Sequence, residues 1–296
     1  MHTLKNGSLE IAINQIGAEL CKITSVKHKT DFMWNGNPKV WAGISPVLFP
    51  IIGALKDGAY NFEANSFKLP KHGFIRHNKS IELSKSTSTS LTFKLMYNET
   101  SLQVYPFKFE FYIDYLLIDN SIKITHTVKN VDNKTMYFSV GGHPAFKCPV
   151  FKDEAYEDYA LVFEHNETAN THLINLENGL ITNKTEPVLK HSNCIALTHN
   201  LFNKDALVFK DLQSKSVSLR SKHYGDILTV HFPDFPYLGI WAKPEGDYVC
   251  IEPWLGIADN ETSNQDFKTK EGILSLGAKE TFEASYTIEI NDSLLV

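Results

Sequence analysis

The chain has 296 residues, of which 43% are hydrophobic and 21% charged, with a formal net charge of −5 and a pI near 6.2. That apolar share supports a sizeable core and excludes wholesale disorder. The acidic balance lacks the lysine and arginine footprint that phosphate backbones require, so no nucleic-acid partner is expected.

The N-terminus has no basic stretch followed by a long apolar one, and the apolar run at residues 47–54 is broken by Pro50 and Gly53. Neither a leader nor a membrane-spanning helix is expected, which makes the cytoplasm the expected location.

In chain order, strand signals dominate. Residues 9–13 read Leu-Glu-Ile-Ala-Ile and residues 91–95 Leu-Thr-Phe-Lys-Leu. Residues 107–115 and 121–128 continue the alternation, and residues 281–290 repeat it near the C-terminus. Period-two alternation rich in β-branched and aromatic side chains marks strands with one buried face. Turn clusters separate them at residues 35–38, 56–58, 130–134 and 245–247. Helical periodicity is nearly absent; residues 152–158 suit one helical turn, and residues 40–49 are ambiguous. With no flexible linker and no fixed-period repeat, residues 1–296 are expected to form a single all-β domain, a large antiparallel β-sandwich.

The four cysteines, Cys21, Cys148, Cys194 and Cys250, are dispersed with no CxxC pair, so buried free thiols are expected rather than disulfides or a metal site. Asn-x-Ser/Thr sequons such as the one at Asn98 carry no weight without a secretory signal.

Titratable side chains among glycines, prolines and aromatics mark the candidate site. His143 lies in Gly141-Gly142-His143-Pro144, where glycine permits close backbone approach and proline fixes the exit of the chain; taken alone, this better suits a histidine in a tight turn. Glu252 lies between Ile251 and Pro253 with Trp254 close behind, a setting that perturbs ionisation and fits a base, a ligand or half of a buried ion pair. Arg76, four residues after His72, offers planar donors for hydroxyls, carboxylate or phosphate, or a simple surface charge. Trp41, Trp241 and Trp254 suit either a sugar face or the core. No GxGxxG, Walker or GxSxG pattern is present, and His72/His77 and His143/Cys148 are spaced unlike metal ligands.

Taken in order, residues 46–53 (PVLFPIIG), 71–76 (KHGFIR), 141–146 (GGHPAF) and 251–256 (IEPWLG) resemble the aldose 1-epimerase, or galactose mutarotase-like, family, and within it the LacX-like bacterial branch. The resemblance runs from about residue 4 to 290. It implies a galactose mutarotase-like supersandwich and an isomerase that interconverts the α and β anomers of a sugar without cofactor or metal. It also implies roles: His143 as general acid, Glu252 as general base, His72 as second active-site histidine and Asp205 as an acceptor for sugar hydroxyls. Where many relatives carry an arginine after the FP-x-x-G segment, this chain has Lys56, expected to supply the positive charge there. Arg76 matches the HGF-x-R motif of a hexose-6-phosphate epimerase branch. The expected partner is thus a small aldohexose, free or phosphorylated, with monomer or homodimer left open; a non-catalytic sugar sensor on the same fold is the competing reading. Loops at residues 151–157 and 260–270 are expected to shape the pocket's outer wall.

Overall fold

Alternating apolar and polar residues leave a strand with one face that water tolerates and one that must be covered. In the computed structural model, which describes residues 1–295, this pattern produces antiparallel sheets almost throughout. The predicted strands appear as Leu9–Asn14, Ser90–Met96, Phe109–Ile118, Ser121–Asn130 and Thr281–Ile290. Phe109, Phe111, Ile113, Tyr115 and Leu117 all point inward and are buried, each aromatic or aliphatic side chain contributing about 1.5–3 kcal/mol of burial.

Nine strands form the large sheet. Its spatial order is Ile181–Ala196, Tyr159–Ile174, Ser216–Ser221, Gly225–His231, Thr281–Ile290, Ser121–Asn130, Phe109–Ile118, Ser90–Met96 and Glu82–Ser86. Two 16-residue strands make the long hairpin at one edge, bent by several register shifts. A six-stranded sheet includes Leu207–Phe209, Tyr237–Trp241, Tyr248–Leu255, Val140–Gly142 and Val47–Leu48, with Ala145–Lys147 also paired to Tyr248–Leu255. Phe49, which follows Val47–Leu48, stacks on Phe111 of the large sheet at 4.5 Å between centroids. The main apolar core runs from Leu4 to Leu295, and a smaller separate cluster gathers Ile52, Ile181, Val208, Trp254 and their neighbours beside the six-stranded sheet.

Among the described residues, helix is confined to Glu99–Val104, capped by Asn98, and to short 3-10 turns such as Tyr156–Asp158. The ambiguous segment at residues 40–49 is mostly loop, ending in the two-residue strand Val47–Leu48. The cysteines are free, but only Cys148 and Cys250 are buried: Cys21 is half-buried and Cys194 exposed. Cys194 lies on the outermost strand of the large sheet, which explains its access to water. Among the described residues, no helix is long and apolar enough to cross a membrane.

Candidate active site

Strand Tyr248–Leu255 is buried along its whole length, so its sequence does not alternate in polarity. Tyr248, Cys250, Glu252 and Trp254 nonetheless share one face of the pleat. On one side the strand pairs with Tyr237–Trp241 without a break. On the other, Val140–Gly142 pairs opposite Leu255 and Trp254, and Ala145–Lys147 pairs opposite Cys250, Val249 and Tyr248. The gap between these two short strands is His143-Pro144, and it falls opposite Glu252. Pro253, which has no N–H to donate, occupies the same interruption.

Two glycines make this approach possible. A Cβ on Gly141 would stand 2.7 Å from the Pro253 carbonyl oxygen, and one on Gly142 would stand 2.5 Å from the Tyr286 hydroxyl. Their role is therefore close packing of protein on protein, rather than the backbone approach to a ligand that the sequence suggested.

His143 Nε2 and Glu252 Oε2 are 3.2 Å apart, and both residues are buried. Burial, first of all, lowers the His143 imidazole to about 3; Arg76 and Lys71 lower it further, against a backbone hydrogen bond that raises it. Burial likewise holds the Glu252 carboxyl well above the usual carboxylate range, aided by Asp205 and opposed by Lys71 and by the nearby Trp254 indole. Both shifts favour a neutral resting pair, with the proton on the carboxyl. Moving that proton to His143 gives an ion pair of the same net charge, so the site can hold either form without charging its interior.

Trp41 stacks on the His143 ring at 5.0 Å, and Trp241 meets it edge-on at 5.9 Å. His72 approaches at 5.7 Å in a T-shaped arrangement. Its backbone sits at φ 69°, and its Nδ1 accepts a hydrogen bond from the Gly53 N–H at 3.1 Å. The ring therefore carries its proton on Nε2. Burial, then the neighbouring His143, Lys71 and Arg76, hold His72 well below its ordinary value, so it is a neutral donor.

These side chains line a cavity of about 770 Å³, counted with its open mouth. Five of the six residues singled out from the sequence meet there: His72, Arg76, Asp205, His143 and Glu252. Asp205, at φ 72°, uses Oδ1 to accept from the Ala206 N–H at 2.7 Å. Arg76 has no ion-pair partner among the described residues, and its buried Nε has no hydrogen-bond partner.

Lys56 stands apart from the cavity. Its Nζ donates to the Ser263 carbonyl at 3.0 Å, while its backbone N–H donates to Asp259 Oδ2. The cation that does line the cavity is Lys71, also without an ion-pair partner among the described residues. Its place beside His72 in the sequence was the available signal.

The outer wall also differs from expectation. None of residues 151–157 or 260–270 lines the cavity; Ile174, Gly179 and Ile181, at the turn of the long hairpin, do. From the second loop, Lys270 acts from beneath. It forms a buried ion pair with Asp259 at 2.9 Å and donates to the Ile257 carbonyl. Ala258, between them, packs under Gly53, where a Cβ would lie only 2.4 Å from that of Ala258. Trp41, Trp241 and Trp254 line the cavity rather than serving the core alone.

The fold that carries this site is that of the galactose mutarotase-like proteins. The galactose mutarotase related enzyme of Lactobacillus acidophilus superposes with a TM-score of 0.93 at 34% identity, covering 98% of this chain and 97% of that one. A galactose mutarotase-like protein of Lactobacillus casei gives 0.91 at 27% identity, with 98% and 100% covered. The chain belongs to the aldose 1-epimerase family, whose model matches residues 1–270. It is also 32% identical over 297 residues to the plasmid-borne protein LacX of Lactococcus lactis, covering 97% of this chain and 98% of the relative.

Proposed function

We propose that this protein interconverts the α and β anomers of an aldohexose by acid–base ring opening and closure. The observation that carries the reading is the 3.2 Å pairing of His143 Nε2 with Glu252 Oε2 at the base of a sugar-sized cavity. The two reacting oxygens of a pyranose, O1 and O5, are bonded to the same carbon. An acid and a base this close together can therefore reach both without rearrangement.

In the reactive form Glu252 is ionised and His143 protonated. Glu252 takes the proton of the C1 hydroxyl while His143 gives its proton to O5. The C1–O5 bond breaks and the open-chain aldehyde forms. Rotation about C1–C2 presents the other face of the carbonyl, and closure returns each proton by the reverse transfers. One proton enters and one leaves the pair in each half-reaction, so its net charge is conserved. The His72 Nε2–H offers a donor and Asp205 an acceptor for ring hydroxyls, and Trp41 and Trp241 supply flat apolar surface for the C–H face of the sugar.

Lys71 and Arg76 favour a specific second reading in which the aldohexose carries a phosphate. Two cations without carboxylate partners at the edge of the cavity suit an anionic substituent.

The experiment is anomer exchange followed by NMR with glucose, galactose and their 6-phosphates, using wild type and Glu252→Gln. Exchange accelerated by wild type alone supports the epimerase, and the fastest sugar identifies the substituent. Sugar binding without faster exchange for any of the four would instead favour a sensor.

A further inference from the structure

We propose that His143, Cys250 and Glu252 together bind a divalent transition-metal ion of borderline softness, with Zn²⁺ as the type, and that this ion switches the site off. The metal binding stands independently of the epimerase reading; the inhibition rests on it.

Cys250 plays no part in the proton transfers described above, yet it shares the pleated face of Glu252 one repeat along the strand. Its partners across the ladder are Trp241 on one side and Ala145 on the other, so the thiol lies beside the interruption through which His143 enters. One ligand atom from each of the three side chains falls within 4.8 Å of the others, and all three residues are buried.

Imidazole nitrogen, thiolate sulfur and carboxylate oxygen form a donor set that zinc favours over magnesium or calcium. Zinc–ligand bonds of about 2.0–2.3 Å place tetrahedral donors about 3.3–3.8 Å apart. The His143 Nε2 to Glu252 Oε2 separation of 3.2 Å is already close to that spacing. One buried polar atom of the trio, Glu252 Oε2, has no hydrogen bond of good geometry. Unmet polar capacity in so buried a place calls for an explanation, and a coordinated ion supplies one.

Charge balance permits the exchange. A neutral imidazole, a thiolate and a carboxylate carry two negative charges between them, which a divalent ion cancels, so metal binding with loss of the ligand protons buries no net charge. Lys71 and Arg76 oppose cation entry, whereas Asp205 favours it. A fourth ligand would be water or a sugar oxygen from the cavity that His143 and Glu252 line. Once bound, the ion holds the lone pairs through which His143 and Glu252 would pass protons, so anomer exchange stops.

The test begins with Co²⁺ titrated into full-length protein pretreated with EDTA. A near-ultraviolet sulfur-to-cobalt band saturating at one equivalent, and displaced by Zn²⁺, is the expected result. Zn²⁺ should suppress anomer exchange reversibly, with recovery on adding EDTA. Cys250→Ser should abolish the sulfur band, retain metal-free exchange within about twofold, and require at least about 10–100-fold more Zn²⁺ for the same suppression, since the loss of even an outer-shell partner costs a metal site that much. Cys250→Ala, checked by circular dichroism, serves if the serine variant fails to fold. No sulfur band in wild type, or equal zinc sensitivity in the cysteine variants, would overturn the proposal. The band decides metal binding even if wild type proves to have no epimerase activity.

Discussion

Gly142 and Tyr286 touch where any larger residue would collide, because a Cβ at Gly142 would lie 2.5 Å from the Tyr286 hydroxyl oxygen. Tyr286 belongs to the large sheet and Gly142 to the short strand that delivers His143. Gly142→Ala should therefore cost about 1–3 kcal/mol of stability through overpacking. It should also lower turnover more than it raises KM, since the displaced group is the proposed proton donor. Thermal melts together with anomer-exchange kinetics check both effects; a variant with unaltered turnover would separate this contact from the placement of His143.

Glu252→Gln should lower anomer exchange by about 10²–10⁴-fold, the usual contribution of a positioned base. Wild-type turnover in this variant would remove Glu252 from that role. His143→Asn should have a comparable effect, and the double variant should be little worse than either single one, because the two residues act as a unit.

The stability of Glu252→Gln should move the other way. The folded carboxyl titrates above its unfolded value of about 4.3, so its favourable contribution is complete below that pH and is lost as pH rises through the folded value. Glutamine cannot ionise. The variant should consequently melt higher than wild type at pH 8, with a smaller gap near pH 4. A lower melting temperature at pH 8 would contradict a neutral resting carboxyl.

Arg76→Met should distinguish the two substrate readings. Hydrogen bonds to charged groups are worth about 1.5–3 kcal/mol, equivalent to about 10–150-fold in binding. KM for a hexose 6-phosphate should rise by that order, KM for the free hexose much less, and Arg76→Lys should recover only part of the loss. Equal rises for both sugars would assign Arg76 to the ring hydroxyls.

Lys270→Met should destabilise the protein by about 3–5 kcal/mol, because it leaves the Asp259 carboxylate buried without its partner. Lys270→Met combined with Asp259→Asn should cost less. Denaturant melts of the single and double variants measure the difference, and a double variant as unstable as the single would rule out the unpaired charge as the cause.

Alternation made the half-exposed strands legible in the sequence: Thr281–Ile290 and Ser121–Asn130 begin where the pattern begins. Tyr248–Leu255 carries no such signal, since both of its faces are buried, and the long hairpin is obscured by bulges and by polar residues facing water on both sides. Among the candidate site residues, His143 and Glu252 were marked by their glycine, proline and tryptophan neighbours, but their mutual approach depends on a ladder gap formed by residues more than a hundred positions apart. Lys56 shows the limit of reading by position in a motif. Its backbone N–H donates to Asp259 and its ammonium group to the Ser263 carbonyl, none of which lines the cavity. Lys71 carries the charge into the cavity from a different loop.

The cavity wall formed by Ile174, Gly179 and Ile181 belongs to a hairpin at the margin of the large sheet, whereas His143 and Glu252 are anchored in the six-stranded sheet. One wall of the cavity and the proposed acid–base pair thus rest on different sheets. A longer or shorter hairpin tip would therefore reshape that wall without moving the strand that carries Glu252.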